Sequence, residues 1–259
     1  MGVRSPNCGC DVRRRSLFLI LLFETAAASG ATLNVYPLKI VLSRRDRSSS
    51  IVLTNVGKEQ TVVQVTVRKW RQDIKGADSF SDTDDVLFFP KIVTIPPAQK
   101  QIIRVGLRTI GEEPAVESSY RLFIDELPLN QTVNGVRMTL RLAVPLFIGP
   151  ARATKGGAID SVSIRNDQMT IVVRNGGNSH AHISSMTVIA ADAKRSQIFR
   201  TDQRDLYVLA ASLRAFTVKV PTGLCGSTSN VRVWVDLGGV QLFKESPRDA
   251  VCVARPATS

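Results

Sequence analysis

The sequence is short of the residues that catalysis and membrane spanning require. Of 259 residues only two are histidine and four cysteine, and aromatics make up 6%. That leaves little material for a metal centre of three or four ligands or for an activated nucleophile. His180 and His182 stand two apart and would share a strand face, with no cysteine or carboxylate cluster beside them. They read as ordinary surface histidines. Asp82-Thr-Asp-Asp85 lacks the glycine and closing glutamate of a calcium loop, and reads as a solvated acidic turn. No Gly-x-Ser-x-Gly elbow and no phosphate-cradling Gly-Lys-Ser/Thr loop is present. The sequence therefore offers no catalytic constellation, no metal site and no cofactor motif, and is not read as an enzyme.

Long apolar runs are missing too. The longest is Leu17-Phe-Leu-Ile-Leu-Leu-Phe23, too short for a bilayer that needs about 20 residues. It follows Arg13-Arg14-Arg15 and leads into small residues through Ala31, the pattern of a secretory signal peptide over residues 1–31. Arg14-Arg15 loosely suggests twin-arginine export, but ordinary export fits better. The mature chain is expected to be exported, without stable membrane insertion. Cys8 and Cys10 leave with the signal, and Cys225 and Cys252 remain, a pair that an oxidising compartment favours as a disulfide.

The net charge is +12, and removing four arginines and two acids with residues 1–31 leaves +10. Such a balance would suit a phosphate binder. Here the Lys and Arg are scattered among strands, not clustered with aromatics, and export argues further against nucleic acid. A solvated basic surface is the reading. Asn130-Gln-Thr132 matches a glycosylation sequon, a motif short enough to recur by chance.

What the chain does have is strands. Ser50–Thr54, Thr61–Val67, Gln101–Leu107, Tyr120–Asp125 and Val136–Val144 alternate apolar and polar residues and are rich in Val, Ile and Thr. After Gly149-Pro150 the pattern resumes at Ala158–Ile164, Met169–Arg174, His182–Ile189, Phe216–Val220 and Asn230–Val235. No stretch carries a helical period. Short strands at this spacing predict an all-β protein of two immunoglobulin-like sandwiches, residues 32–149 and 150–259, with the junction near Gly149–Gly157.

One strand is unusual. Val136, Met138, Leu140, Leu142 and Val144 form one apolar row, and Arg137, Thr139, Arg141 and Ala143 the opposite one. Nine residues reach about 30 Å, long for an ordinary strand. The plain reading is a core strand. A long alternating strand at a sheet edge can also lend its apolar row to another protein.

In order along the chain, several segments resemble the PapD-like periplasmic chaperones of pilus assembly. Leu38-Lys39-Ile40-Val41 with Ser50–Asn55 is similar to the family's first two strands, and Phe89-Pro90 through Pro96-Pro97 with Gln101–Arg104 to its middle segment. Tyr120–Pro128 and the strand at 136–144, closing in Phe147-Ile-Gly-Pro150, resemble its F and G strands. Asp236-Leu-Gly-Gly239 resembles its Asp-Tyr-Gly-Gly turn, and Tyr-Arg-Leu…Asp-Glu-Leu-Pro with Leu-x-Val-Pro is closest to the archaic branch.

The resemblance implies two sandwiches in a boomerang-like arrangement, in the periplasm, with pilin subunits and an outer-membrane usher as partners. It implies donor-strand complementation, in which the chaperone supplies the strand that an incomplete pilin lacks. Val136, Met138 and Leu140 are then the expected donors, with Leu142 and Val144 either donating or turned back into the chaperone's own core. The family's better-known branch clamps the pilin's terminal carboxylate with two basic residues. The first falls on Lys39, and the second on Pro145, which carries neither charge nor donor. If 120–127 and 136–144 form a hairpin, Arg121 comes near Leu142 and, with Lys39, is expected to supply the charge. Glu117 and Asp236 match two acids of an inter-domain salt-bridge network whose basic member falls on Gly149, with Arg152 as the substitute. Two other readings stay open: an exported ligand-binding sandwich, which should expose clustered Trp and Tyr, and a pilin-like subunit, which should be a single incomplete sandwich.

Overall fold

The computed structural model describes residues 1–2, 33–73, 77–109, 114–128 and 139–252. Almost all of the signal segment, the sequon at Asn130, and the expected donors Val136 and Met138 lie outside the described residues. The described chain is nearly all strand. The first half contains β1 (Leu33–Tyr36), β2 (Ile40–Leu42), β3 (Ser48–Asn55), β4 (Thr61–Gln72), β5 (Asp78–Asp82), β6 (Val86–Phe89), β7 (Ile92–Ile95), β8 (Lys100–Leu107), β9 (Ser118–Leu127) and β10 (Arg141–Ile148). The second half contains β11 (Gly157–Arg165), β12 (Gln168–Asn175), β13 (Ala181–Ala191), β14 (Gln197–Gln203), β15 (Leu206–Val208), β16 (Leu213–Lys219), β17 (Asn230–Leu237) and β18 (Val240–Pro247). Two four-residue helices, α1 (Leu224–Ser227) and α2 (Arg248–Val251), flank β17 and β18.

These strands make four sheets in two sandwiches, as the alternation predicts. One sheet runs β1-β3-β8-β6 and its partner β2-β10-β9-β4-β5, with β7 also on β4. The opening segment serves both sheets: β1 pairs antiparallel with β3, and β2 pairs parallel with the end of β10. The second sandwich stacks β11-β12-β16 against β14-β13-β17-β18, with β15 also on β13. Each sandwich has its own core. Ile51, Leu53, Ile103, Leu122 and Leu146 are buried in the first, and Ile171, Ile183, Val188, Val231 and Val233 in the second. Period-two alternation puts these residues on inner faces, where each buried large aliphatic side chain contributes about 1.5–3 kcal/mol.

Polar residues fasten the strand ends. Asn55 donates to the carbonyls of Glu59 and Ile95 and accepts from Gly57 N–H, so a buried amide ties down the Asn-Val-Gly turn. Asn175 does the same in the second sandwich, donating to Ser179, Val208 and Leu209 carbonyls and accepting from Gly177. The β17–β18 loop is Gly238-Gly239, with φ of 62° and 90°. Two consecutive left-handed residues form the tight hairpin turn that glycine alone adopts cheaply. Cys225 in α1 pairs with Cys252 just after α2, their Cα atoms 5.8 Å apart.

The acidic turn is solvated at Asp82 and Asp84, as expected, and tied to the core at Asp85. Asp82 pairs with Arg68 and Asp84 with Arg108, while Asp85 accepts from the buried Tyr120 hydroxyl at 2.7 Å. The Tyr120 hydrogen bond holds the Asp85 carboxyl below its usual range, and burial raises the Tyr120 hydroxyl above its own. A depressed carboxyl stabilises the fold above its unfolded value, and that contribution is lost as pH falls through the folded value. Tyr120→Phe should therefore cost about 1 kcal/mol at neutral pH, discounted for the exposure of Asp85. In urea titrations the gap to wild type should narrow as the pH drops below about 4.

Candidate functional site

The edge of the first sandwich is incomplete at β10. Along its whole length β10 pairs with β9, from Arg141↔Asp125 to Ile148↔Ser118. On its other side it meets β2 only from Leu146 to Ile148. Among the described residues, the backbone of 141–145 has no strand on that side. Pro145 sits where the β2 ladder stops, as suits a residue without an N–H to donate. The apolar row runs along this edge with graded burial. Val144 belongs to the first core, while Leu142 and Leu140 are only partly buried against it. Val144 and, in part, Leu142 thus pack against the first core. Beyond them, Leu140 is joined to Glu126 through Glu126 N–H to its carbonyl and its own N–H to the Glu126 carboxylate. Arg141 on the opposite face pairs with Asp125.

At one place, the other face of the same sheet is covered by the second sandwich. In β4 the core row is Val63, Val65 and Val67, yet Trp70, out of phase with it, is also buried. In β10 the core row includes Val144 and Leu146, yet Phe147 on the opposite row is completely buried. Both out-of-phase aromatics meet Leu209 and Tyr207 of the second sandwich in a small apolar cluster. Gln72 adds two hydrogen bonds across this seam, accepting from Leu209 N–H and donating to the Tyr207 carbonyl. His180 stacks flat on Phe147, centroids 3.6 Å apart. Its backbone N–H and Nδ1 both reach the Glu117 carboxylate, at 2.8 and 2.9 Å. The Glu117 side chain is 2% exposed and that of His180 12%.

Two expectations are corrected here. His180 is not a surface histidine but half of a nearly buried pair joining the sandwiches. Asp236 does not join Glu117: its carboxylate accepts from Gly239 N–H at 2.8 Å, which holds it below the usual range, and it serves the β17–β18 turn. Arg152 contributes only its carbonyl, accepting from Asn178, with no ion pair to either acid among the described residues. His182 is more exposed and lies 3.4 Å from Asp205.

Lys39 and Arg121 flank Pro145. Pairing of Ile40 with Leu146 puts Lys39, one residue earlier on a parallel neighbour, beside Pro145. The β9 register puts Arg121 directly opposite Pro145 on the other side. Leu142, which the hairpin argument placed near Arg121, pairs instead with Ile124. The difference arises because β10 runs on through Pro145 to Ile148, which slides the register. Lys39 lines a cleft of about 390 Å³ between the sandwiches, with Glu117, Lys155, His180 and His182. Arg121 lies away from that lining. Its guanidinium sits 3.8 Å over the Trp70 ring, Nη1 donates to the Ala143 carbonyl at 3.4 Å, and burial pushes its pKa down.

Residues 32–154 match the family described as pili and flagellar-assembly chaperone, PapD N-terminal domain, a family of chaperones and not of enzymes. Among solved structures, the chain is similar to one from the CsuC–CsuE chaperone–tip adhesion subunit pre-assembly complex of the archaic Csu pili of Acinetobacter baumannii. The identity is 23% and the TM-score 0.57, over 83% of this chain and 98% of that one. The CupB2 chaperone of Pseudomonas aeruginosa is 15% identical with a TM-score of 0.52, over 83% and 99% of the two chains. A chain of the Salmonella enterica SafA pilin–SafB chaperone complex is 14% identical with a TM-score of 0.52, over 84% and 98%. At these identities the likeness is one of fold. No curated protein sequence matches.

Removing the His180 ring takes one of two donors from the buried Glu117 carboxylate and leaves it the backbone N–H of residue 180. His180→Ala should destabilise the chain by about 2 kcal/mol in denaturant unfolding, and Glu117→Gln by less, because the amide still accepts from the same N–H.

Proposed function

We propose, from the membership of the first sandwich in the PapD N-terminal domain family, that this chain is a periplasmic chaperone that completes pilin subunits with its own strand. The subunit's missing strand is supplied by 136–144, and the loaded chaperone delivers it to an outer-membrane usher. One observation carries the reading: the apolar row on β10 becomes less buried from Val144 to Leu140, beside a backbone edge that no described strand covers. An edge of this kind offers both halves of strand addition, main-chain hydrogen bonds and alternate side chains for pockets.

Leu140, together with Val136 and Met138, would fill the groove of an incomplete subunit, each side chain adding about 1.5–3 kcal/mol when fully buried. Leu142 and Val144 would anchor the donor strand in the chaperone's own core. Lys39 and Arg121, one on each side of Pro145, would receive the subunit's terminal carboxylate. Lys39 keeps the charge of the family's arginine without its bidentate fork, and Arg121 restores a fork from the neighbouring strand. The Cys225–Cys252 pair, oxidised after export, would close the second sandwich around its last helix.

Co-expression in a periplasm with small exported proteins from the same genome tests the reading. A one-to-one complex should survive gel filtration, and Met138→Asp or Leu140→Asp should abolish it while the free chain keeps its melting temperature. A wild-type chain that holds no exported subunit would overturn the proposal. Arg121→Ala should weaken the complex by about tenfold or more, the loss expected for a charge-assisted hydrogen bond. If Lys39→Ala abolished binding and Arg121→Ala left it unchanged, Arg121 would have no part in the anchor.

A further inference from the structure

We infer that Arg214, on the second sandwich, completes the anion site at Arg121, so that a subunit's terminal carboxylate is held by one guanidinium from each sandwich. This rests on the reading that Arg121 receives that carboxylate. Arg121 comes from β9 and Arg214 from β16, and both converge on Tyr207. The Arg121 guanidinium lies 5.8 Å from the Tyr207 ring, and Arg214 Nη1 donates to the Tyr207 carbonyl at 2.7 Å.

Neither cation has an anion. A guanidinium carries five N–H donors, yet among the described residues Arg121 has the single hydrogen bond to Ala143 and Arg214 the single one to Tyr207. Neither forms an ion pair among the described residues. The nearest carboxylate, Asp78, acts on Arg121 only at longer range and accepts from the Gln72 amide at 3.1 Å, and Asp205 faces His182. Two like charges placed by separate domains around one aromatic residue, each with unused donors, repel one another until an anion lies between them. A carboxylate has two oxygens and about four acceptor positions, enough to take hydrogen bonds from both forks. Burial lowers the Arg121 pKa, as for a cation partly stripped of water, and the Arg214 charge lowers it further.

The family's clamp draws both of its basic residues from the first sandwich. Here the loss of one of them at Pro145 coincides with a cation offered from the second. Binding at this site would then depend on how the two sandwiches meet at Trp70 and Tyr207.

The test uses the subunit recovered in the co-expression above, made with its natural C-terminus and with a Gly-Gly extension that displaces the carboxylate. Affinities are measured for wild type, Arg214→Gln and Arg214→Lys. Arg214→Gln should weaken binding of the natural subunit by about tenfold or more, with Arg214→Lys recovering part of the loss. It should leave binding of the extended subunit, already weak, unchanged. Equal weakening for both subunits would make Arg214 a structural residue and overturn the inference. So would wild-type binding by Arg214→Gln where Arg121→Ala has lost it. Wild-type binding that is insensitive to the extension would overturn the carboxylate reading itself, leaving the donor-strand reading standing.

Discussion

The arrangement depends on the burial of Phe147 between the two sandwiches. Its strand carries a core row on one face, and an isolated sandwich would leave the other face in water. Phe147 and the out-of-phase Trp70 instead make that face apolar at one place, and the second sandwich covers it with Leu209 and Tyr207. Contacts of this kind are non-directional, so they bring the sandwiches together without fixing their angle. The angle is fixed by directional groups around the cluster, namely the Glu117 carboxylate on His180 and the Gln72 amide on the backbone of Tyr207 and Leu209. The strand that is read as the donor therefore carries, next to its last residue, the side chain that joins the sandwiches.

Charge follows the same division. Most acids of the first sandwich are satisfied locally, as in the three separate pairs of the 82–85 turn. Along the seam, Lys39, Arg121, Lys155 and Arg214 bring positive charge and Glu117 is spent on His180. The high net charge is thus scattered over the surface, and part of it lies where the sandwiches meet. Long-range attraction follows from the total, and local recognition from these few sites.

Much of the fold was legible because its signals are local. Alternation in 61–67, 101–107 and 230–235 marked strands that need only their own neighbours, and Asn55-Val-Gly57 and Gly238-Gly239 announced their turns. The strand β5, polar and exposed at a sheet edge, has no alternation to read. The donor edge was visible as a long apolar row, but its register was not, since pairing depends on how far β10 continues past Pro145. His180 was misread for a related reason: its partner Glu117 lies 63 residues away, and nothing local to either residue announces the pair. A usable signal did exist in Trp70 and Phe147, large aromatics on the supposedly solvated rows of their strands. Such out-of-phase residues mark a second surface to be covered.

Trp70 also gives the molecule an optical property. The chain has two tryptophans, and their surroundings differ sharply. Trp234 is 37% exposed on the outer face of the second sandwich, beside Phe243. Trp70 is buried in the seam with a guanidinium 3.8 Å above its ring, and its indole N–H finds no acceptor among the described residues. The excited state of an indole shifts charge across the ring, so its emission energy responds to a cation held over its face. Trp234 also has a cation near it, with Arg232 5.7 Å from its ring, but it stands partly in water. The fluorescence of the unlabelled protein should therefore include a buried component that moves with whatever neutralises the charge at Arg121.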